Sequence, residues 1–258
     1  MRLAAMGDIH CTRDSHGELA ETFAAAGEAA DLLVLCGDLT DYGLPAEAEV
    51  LGQELASAKV PVVGVLGNHD HESGEAGEVA RILADAGVRL LDGDAVEIDG
   101  VGFAGTKGFG GGFGRHALGS WGEPAIKAFV QEAVDEALKL ENALARLRTD
   151  LRVAVLHYAP IRDTVENEPP EIFPWLGSER LEEPIDRFEL TLALHGHAHH
   201  GAPEGRTRGG VPVYNVSAPL LRGLDEQRPF RVIELPAQPA AAGPRVAASA
   251  LDRQSQGL

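Results

Sequence analysis

The chain alternates short, continuous apolar runs with segments of helical periodicity, and this order restricts its fold more than any other feature. The apolar runs are residues 3–6, 32–36, 60–67, 153–157 and 190–196. Runs of this length that are closed by glycine or a polar residue are typical of buried strands. Helix candidates occupy residues 16–30, 45–58, 75–87 and 123–148. The alternation predicts an α/β fold built on a mixed β-sheet.

Segments outside this alternation predict further strands and a tail. Residues 88–105 predict a hairpin with its turn at Asp99–Gly100. "VPVYNVSA" and "FRVIEL" near the C-terminus predict two more strands. After Leu235 the chain is rich in alanine and proline and lacks periodicity. We therefore expect one folded domain over residues 1–235 and a flexible tail over 236–258.

The negative charge of the chain disfavours some classes of partner. Its formal net charge is −18, and such a surface repels nucleic-acid phosphates and anionic membranes. Long nucleic acids are therefore disfavoured as partners. The two cysteines do not suggest a disulfide framework, no stretch approaches the roughly 20 apolar residues of a membrane helix, and the apolar N-terminus is shorter than the apolar core expected of a signal peptide. We expect a soluble cytoplasmic protein.

Each apolar run is followed by carboxylate, amide or imidazole side chains. The five strand ends read "GDIH", "CGDLTD", "LGNHD", "LHY" and "HGHAHH". In open α/β sheets, ligands bind at the carboxyl ends of strands, so these side chains are expected to converge. Asp and His together suit cations such as Mn, Fe and Zn. The sequence therefore predicts a metal site, and four of the ten histidines fall in its last block, "LHGHAHHG".

The motif order DxH, GDxxD, GNH(D/E), a lone His and GHxH spans residues 8–199 and resembles the calcineurin-like metallophosphoesterase superfamily. The resemblance implies a four-layer α/β/β/α sandwich with two mixed β-sheets. It implies a metal-dependent phosphoric ester hydrolase over residues 1–235. The glycine-rich residues 105–120 lack the GxxxxGK(S/T) order of a nucleotide loop, so that function is rejected for them, and no cofactor-binding residues other than the metal ligands are assigned.

The resemblance also implies a role for each motif residue. Asp8, His10 and His199 would hold a first metal ion, Asn68, His157 and His197 a second, and Asp38 would bridge the two. His69 would be the catalytic histidine that protonates the leaving oxygen or stabilises charge on the phosphoryl group. Asp41 would orient His69 by accepting its other ring proton, and Asp70 would hold the loop through hydrogen bonds outside the metal ligands.

The activity implied is attack by a hydroxide that bridges two divalent or trivalent ions of Mn, Fe or Zn. The expected substrate is a small phosphodiester, for which a cyclic nucleotide is one candidate, or a small phosphomonoester. Two alternatives stay open at this point: a catalytically silent metal-binding scaffold of the same fold, and a nuclease. The sequence also leaves the metal identities and a homo-oligomeric state open.

Several residues lie beside the motifs or depart from them. Tyr42 stands where Ser/Thr protein phosphatases of the superfamily carry arginine, so "GDLTDYG" is closer to the bacterial phosphodiesterase-like members. Cys11 and Cys36 are expected to be small buried residues rather than metal ligands. For His195 and His200 we favour roles outside metal binding, with His195 hydrogen-bonded at a strand end.

Two irregular segments are expected to lie near the site. In the glycine-rich loop, Lys107 or Arg115 could meet a substrate phosphate, or the loop could be plain surface. Residues 157–186 are expected to cover the site and contribute to specificity. Within them, Phe173 and Trp175 could stack on a base or aryl group, although we favour a role for both in fixing the loop to the core.

Overall fold

The computed structural model describes residues 1–226 and 228–236, so the predicted tail lies, apart from its first residue, outside the described residues. The strands are β1 (Arg2–Met6), β2 (Leu32–Cys36), β3 (Val62–Val65), β4 (Val88–Leu90), β5 (Asp94–Ile98), β6 (Val101–Gly105), β7 (Leu151–Val155), β8 (Leu192–His195), β9 (Glu204–Arg206), β10 (Pro212–Asn215) and β11 (Arg231–Glu234). The α-helices are α1 (Ala20–Ala29), α2 (Pro45–Leu55), α3 (Ala76–Asp85), α4 (Pro124–Leu144), α5 (Phe173–Leu176), α6 (Glu182–Arg187) and α7 (Ala218–Leu224). Single turns of 3₁₀ helix lie at His69–His71, Gly114–His116, Asp163–Val165, Pro170–Ile172 and Glu179–Leu181.

The strands form two mixed sheets. The first has the order β11-β1-β2-β3-β4, and the second has the order β5-β6-β7-β8-β10-β9. In the first sheet β1 to β4 run parallel, and β11 pairs antiparallel with β1. In the second sheet β6, β7, β8 and β10 run parallel, and the edge strands β5 and β9 run antiparallel to their neighbours.

The two sheets pack face to face, and helices cover their outer faces. Leu3 and Ala5 of β1 lie in the same buried cluster as Phe103 of the second sheet, whereas Ala4 and Met6 belong to the cluster under α1, α2 and α3. This division follows from the alternation of side chains along a strand. The outer face of the second sheet is likewise buried under α4 and α6. The result is the predicted four-layer α/β/β/α sandwich.

The four predicted helices and the five buried strands are confirmed, with ends that differ by a few residues. The predicted hairpin forms between β5 and β6, and its turn residues Asp99 and Gly100 have φ of 48° and 81°. The prediction that this hairpin begins at residue 88 is wrong. Val88 to Leu90 pair with β3 in the first sheet, because Val88 is buried in the core of that sheet. Strand β9 was not predicted, since its three residues carry no buried pattern.

The loops that follow the parallel strands of both sheets meet at one edge of the sandwich. The N–H of Gly7 after β1 donates to the carbonyl of Val216 after β10 at 2.8 Å. The ring of His157 after β7 contacts the carbonyl of Cys36 at the end of β2 at 2.9 Å. Side chains that are far apart in sequence are thereby brought to one place. No helix within residues 1–226 and 228–236 combines the length and apolarity needed to cross a membrane.

Candidate metal centre

The structure brings the seven predicted metal ligands together. Three groups of side chains have possible ligand atoms within 4.8 Å of one another: Asp8, Asp38, His157 and His197; Asp8, His10 and His199; and His10, Asp38 and His69. Asn68 joins them, because its Oδ1 lies 2.9 Å from Nε2 of His157. Asp8 and Asp38 each belong to two groups. The cluster offers carboxylate and amide oxygens and imidazole nitrogens, which is a donor set for divalent metal ions.

Four of these residues have left-handed backbone conformations. The φ angles are 55° at Asp8, 50° at His10, 46° at Asp38 and 67° at His197. Residues with a Cβ adopt this region at a cost of about 1–2 kcal/mol each. Here backbone hydrogen bonds support it: Asp8 N–H donates to the Gly37 carbonyl at 2.9 Å and His10 N–H to the Asp38 carbonyl at 3.0 Å. The fold therefore keeps a strained backbone conformation at four of the candidate ligand residues.

A glycine precedes the ligand in four of the motifs, and in three of them another candidate ligand occupies the space beside the glycine. A Cβ on Gly37 would lie 2.4 Å from Nδ1 of His157, and one on Gly67 would lie 2.2 Å from Oδ1 of Asp38. A Cβ on Gly196 would lie 2.4 Å from Oδ2 of Asp8. These glycines allow the loops of neighbouring strands to approach closely enough for their side chains to share one ion.

His10 shows that the residues fit a metal ion. Both its ring nitrogens are buried and have no hydrogen-bond partner among the residues that the structure describes. Their nearest carboxylate contacts are Nδ1 to Oδ1 of Asp41 at 3.2 Å and Nε2 to Oδ2 of Asp38 at 3.9 Å. Buried polar atoms without a partner are rare and costly in folded proteins. Coordination of a metal ion by His10 would satisfy one of these nitrogens.

His157 carries a proton at a position suited to a metal ion. Its Nδ1 lies 2.9 Å from the Cys36 carbonyl, and its Nε2 lies 2.9 Å from Oδ1 of Asn68 and 3.3 Å from Oδ1 of Asp38. Both nitrogens therefore face acceptors. Burial alone lowers the pKa of His157, but the charges of Asp38 and Asp8 and its hydrogen bonds outweigh burial and raise this pKa to about 9. A metal ion would replace the Nε2 proton among the same oxygens.

His197 and His199 differ in how their rings are held. Nε2 of His197 lies 3.1 Å from the carbonyl of Trp175, so Nε2 carries the proton and Nδ1 keeps a free lone pair for a metal ion. Burial, followed by the charge of His157, lowers the pKa of His197 to about 4. Nε2 of His199 lies 3.0 Å from Oδ1 of Asp8, and this hydrogen bond raises the pKa of His199.

The two aspartates of the cluster stay ionised although they are buried. Burial alone raises the pKa of Asp8, but its hydrogen bond with His199 and the charge of His157 reverse this effect and lower it. Burial likewise raises the pKa of Asp38, and the charge of His157 together with a hydrogen bond from it brings the pKa of Asp38 well below its usual range. Two adjacent carboxylates that remain charged form a site for cations.

The structure shows which atom of Asp41 contacts His69. Nδ1 of His69 lies 2.7 Å from the backbone carbonyl of Asp41, whereas the Asp41 carboxylate lies beside His10. A carbonyl can only accept, so Nδ1 donates and Nε2 is the ring atom left for chemistry. The N–H of His69 also donates to Oδ1 of Asp38 at 2.9 Å. His69 is therefore positioned by the backbone of the "GDLTD" loop, because that loop turns its carbonyl toward the ring.

Asp70 links two of the loops that carry candidate ligands. Its buried carboxylate accepts hydrogen bonds from the N–H groups of Leu39, Thr40 and Gly67 at 3.1, 2.8 and 2.7 Å, and from the Thr40 hydroxyl at 2.6 Å. Burial raises the pKa of Asp70, and these hydrogen bonds oppose that shift. The carboxylate thus ties the loop after β2 to the loop after β3.

The structure also shows the environments of the cysteines and of the residues beside the motifs. Cys11 and Cys36 are fully buried, burial raises the pKa of both thiols, in Cys11 to about 12, and neither belongs to a group of possible metal ligands among the described residues. His195 is buried at the end of β8, with Nδ1 2.7 Å from the Gly196 carbonyl and Nε2 2.7 Å from the Thr164 hydroxyl. His200 is exposed, and so is the Tyr42 side chain beside the His69 loop.

The glycine-rich loop and residues 157–186 lie against each other beside the cluster. Gly111 N–H donates to the Pro174 carbonyl at 2.7 Å, and Gly112 N–H donates to the Gly177 carbonyl at 2.8 Å. Lys107 donates to the Gly108 carbonyl and lies over the rings of Phe109 and Tyr158, whereas Arg115 lines a separate cavity of about 520 Å³ that no candidate ligand touches.

Phe173 and Trp175 have different environments. Phe173 is buried in a cluster that includes Ala198, the residue between His197 and His199. Trp175 is 59% exposed, so it is not part of the core, while its ring contacts that of Phe129 edge to face, and its role in fixing the loop stays a prediction. The contact of the Trp175 carbonyl with His197 was not predicted, and no sequence signal could have shown it, because every residue carries a carbonyl.

Comparisons with known proteins agree with this architecture. No curated protein sequence matches the chain significantly. Among solved structures, the phosphopantetheinyl hydrolase of Mycobacterium tuberculosis has a TM-score of 0.64 at 15% identity, with 92% of this chain and 97% of that chain covered. The protein TT1561 of Thermus thermophilus has a TM-score of 0.55 at 16% identity, with 90% and 98% covered. At these identities the likeness shows a shared fold.

The decisive comparison is with protein families. Residues 1–201 match the family model described as calcineurin-like phosphoesterase, and this range contains every candidate ligand. The matched range also covers His69 and the loops that hold it. The chain therefore belongs to the calcineurin-like phosphoesterase family and is a metal-dependent phosphoester hydrolase.

Proposed function

We propose that this protein hydrolyses a small phosphodiester at a centre of two metal ions. Asp8, His10, His199, Asn68, His157 and His197 would be the ligands, and Asp38 would be shared between the two ions. A small phosphomonoester is the second substrate class to test. The observation that supports the proposal most strongly is the convergence of seven donor side chains from five loops, with His69 in contact with the same cluster.

The grouping of the candidate ligands supports a pair of ions over a single one. Asp8, His10 and Asp38 each lie in two of the three groups found among the described residues, so the groups overlap. We assign the shared position to Asp38, because its Oδ2 faces His10 at 3.9 Å and its Oδ1 faces His157 at 3.3 Å. Metal ions bound there would activate water and neutralise charge on the phosphoryl group. Mn, Fe and Zn all suit this mixture of carboxylate, amide and imidazole donors.

The chain's own residues have distinct parts in the reaction. His69 keeps its Nδ1 proton on the Asp41 carbonyl, so its Nε2 is the atom that gives a proton to the leaving oxygen when the ring is charged. The Asp38 carboxylate holds the backbone of His69 through a hydrogen bond of 2.9 Å. Asp70 keeps the two loops that carry Asp38 and His69 in register.

The test is a comparison of rates after metal exchange. The protein is freed of metal with a chelator, loaded with Mn²⁺, and assayed with bis(4-nitrophenyl) phosphate and 4-nitrophenyl phosphate. Metal-dependent turnover that favours the diester supports the proposal, and preference for the monoester would redirect it to phosphorylated metabolites. Cyclic nucleotides and a phosphopantetheinyl ester, the group named in the structural relative, are the first substrates to screen.

A variant and two negative results separate the proposal from its alternatives. Asp38→Ala should reduce the bound Mn²⁺ below two per chain, and a retained stoichiometry of two would contradict the shared position of Asp38. Two bound ions without turnover of any ester would favour a silent metal-binding scaffold. Cleavage of long DNA or RNA in preference to small esters would favour a nuclease, which the net charge of −18 disfavours.

A further inference from the structure

An exposed tryptophan lies directly beside the candidate metal centre. The carbonyl of Trp175 accepts the Nε2 proton of His197 at 3.1 Å, so the Trp175 backbone touches a predicted ligand. Its indole is nevertheless 59% exposed. Large aromatic side chains gain free energy from burial, and a tryptophan that stays exposed next to a reactive centre is available for contact with a ligand.

The backbone of Trp175 is in contact with the loops on both sides of it. A Cβ on Gly110 would lie 2.5 Å from the Pro174 carbonyl and 3.4 Å from Cα of Trp175, so the glycine-rich loop packs closely against this backbone. The hydrogen bond from Gly111 to Pro174 ties the two segments together. The Trp175 backbone is therefore fixed on one side by the glycine-rich loop and on the other side by His197.

A row of aromatic rings, each in contact with the next, runs from Trp175 to His197. The ring centroids of Trp175 and Phe129 are 5.3 Å apart at an interplanar angle of 82°. Phe129 and Phe109 are 4.8 Å apart, Phe109 and Tyr158 are 5.8 Å apart, and Tyr158 and His197 are 4.5 Å apart. Tyr158 is buried, and Phe109 and Phe129 are half-buried, so Trp175 is the member of the row that presents most of its surface to solvent.

We propose that the indole of Trp175 determines specificity by stacking on a planar aromatic group of the phosphoester. The inference rests on the proposed function, since a phosphoryl group held by the metal ligands directs the organic part of its ester outward, past the residues at the edge of the site. Stacking does not depend on charge, and two exposed aromatic residues lie next to candidate site residues: Trp175, whose carbonyl contacts His197, and Tyr42, which follows Asp41. The substrate class is an aryl or nucleobase-bearing ester.

The chain offers a matched control for this proposal. Its two tryptophans are both exposed, Trp121 at 75% and Trp175 at 59%. Trp121 precedes α4 and has no contact with the candidate ligands among the residues that the structure describes. A loss of binding that is specific to Trp175 would therefore not arise from the removal of any exposed indole.

The experiment compares two phosphonates that differ in their organic group. On the Mn²⁺-loaded protein, phenylphosphonate should inhibit more strongly than methylphosphonate. Trp175→Ala should weaken phenylphosphonate about ten-fold and leave methylphosphonate unchanged, because one stacking contact is worth about one order of magnitude in affinity. Trp175→Phe should recover part of the loss, and Trp121→Ala should have no effect. Equal weakening of both phosphonates, or none, would overturn the proposal.

A second readout does not depend on turnover. Trp121→Phe leaves Trp175 as the sole tryptophan, and titration with phenylphosphonate should change its fluorescence while methylphosphonate should not. If the Mn²⁺-loaded protein hydrolyses no phosphoester, the proposed function fails, and this titration still tests the contact. If turnover is normal and the fluorescence does not respond to phenylphosphonate, only the role of Trp175 fails.

Discussion

The backbone N–H of His197 lies 3.0 and 2.9 Å from the two carboxylate oxygens of Asp8, although 189 residues separate them in sequence. The contact joins the loop after β8 of the second sheet to the loop after β1 of the first sheet. Because His199 also contacts Oδ1 of Asp8 at 3.0 Å, one carboxylate organises the whole "GHAH" segment. Asp8 is therefore both a candidate ligand and the residue that holds two others in place.

This double role gives a first prediction. Asp8→Asn keeps an oxygen for the His197 N–H but removes the negative charge, so Mn²⁺ affinity should fall at least about 100-fold and turnover with it. Bound Mn²⁺ measured by elemental analysis after gel filtration, together with the rate, checks this. Asp85→Asn, on the exposed face of α3, is the control and should change neither quantity. Full metal occupancy in Asp8→Asn would contradict the assignment.

Gly196→Ala tests the close approach of the loop after β8 to Asp8 without replacing a candidate ligand. The new Cβ would lie 2.4 Å from Oδ2 of Asp8 and 2.9 Å from the Cys36 carbonyl, so the carboxylate must move. We expect Mn²⁺ affinity to fall about 10- to 100-fold, as it does when the support of a ligand is disturbed. The control is Gly77→Ala in α3, where the added Cβ meets nothing and should raise the free energy of unfolding by about 0.5–1 kcal/mol. Calorimetric Mn²⁺ titration of both variants decides the point.

His69→Ala should separate metal binding from chemistry. Removal of the ring deletes the proton donor, so kcat should fall by about 10²- to 10⁴-fold, while the bound metal content stays unchanged. His71→Ala, two residues away, serves as the matched control and should retain activity. A rate equal to that of the unsubstituted protein would remove His69 from the mechanism, and a loss of metal would make it a ligand instead.

The main expected effect of Asp70→Ala is a loss of stability. It leaves the buried N–H groups of Leu39, Thr40 and Gly67 without their acceptor, so the free energy of unfolding should fall by about 3–5 kcal/mol. Asp70→Asn should also destabilise, because its amide N–H₂ would face donors. Chemical denaturation of the metal-free protein measures both, with the exposed Asp14→Ala as control. A loss below about 1 kcal/mol would show that water replaces the carboxylate.

The raised pKa of His157 predicts how metal binding depends on pH. In the metal-free fold this pKa is about 9, above the value of about 6.5 in an unfolded chain. The protonated ring therefore contributes its full stabilisation below pH 6.5, and this contribution is lost as the pH rises through 9. Because a metal ion replaces the Nε2 proton, Mn²⁺ affinity should rise with pH up to about 9.

Calorimetry can detect this proton directly. At pH 7.5, Mn²⁺ titrations in two buffers with different ionisation enthalpies should show a proton released on binding. The proton contributed by His157 should be missing in His157→Asn, which keeps a polar side chain without a titrating group. Identical proton release in the two proteins would show that the proton comes from another residue.

Much of the fold follows from periodicity and residue type alone. The apolar runs at 32–36 and 153–157 predict β2 and β7 to within two residues, because a strand buried on both faces needs a continuous apolar run. The hairpin of β5 and β6 follows from Asp99–Gly100, since both turn residues need a positive φ. The assignment of Val88–Leu90 to the first sheet was not predictable in this way, because its pairing with β3 is a contact between distant segments.

For the candidate site, the sequence by itself determined which residue types stand at the strand ends and in what order, from Asp8 to His199. Only the tertiary structure decided which atoms meet: the Asp41 carbonyl rather than its carboxylate contacts His69, and the Trp175 carbonyl contacts His197. It also decided that Trp175 is exposed whereas Phe173 is buried. The physical reason is that a sequence motif records side chains, whereas hydrogen bonds to the backbone are available at every residue. The path of the chain in space selects among them.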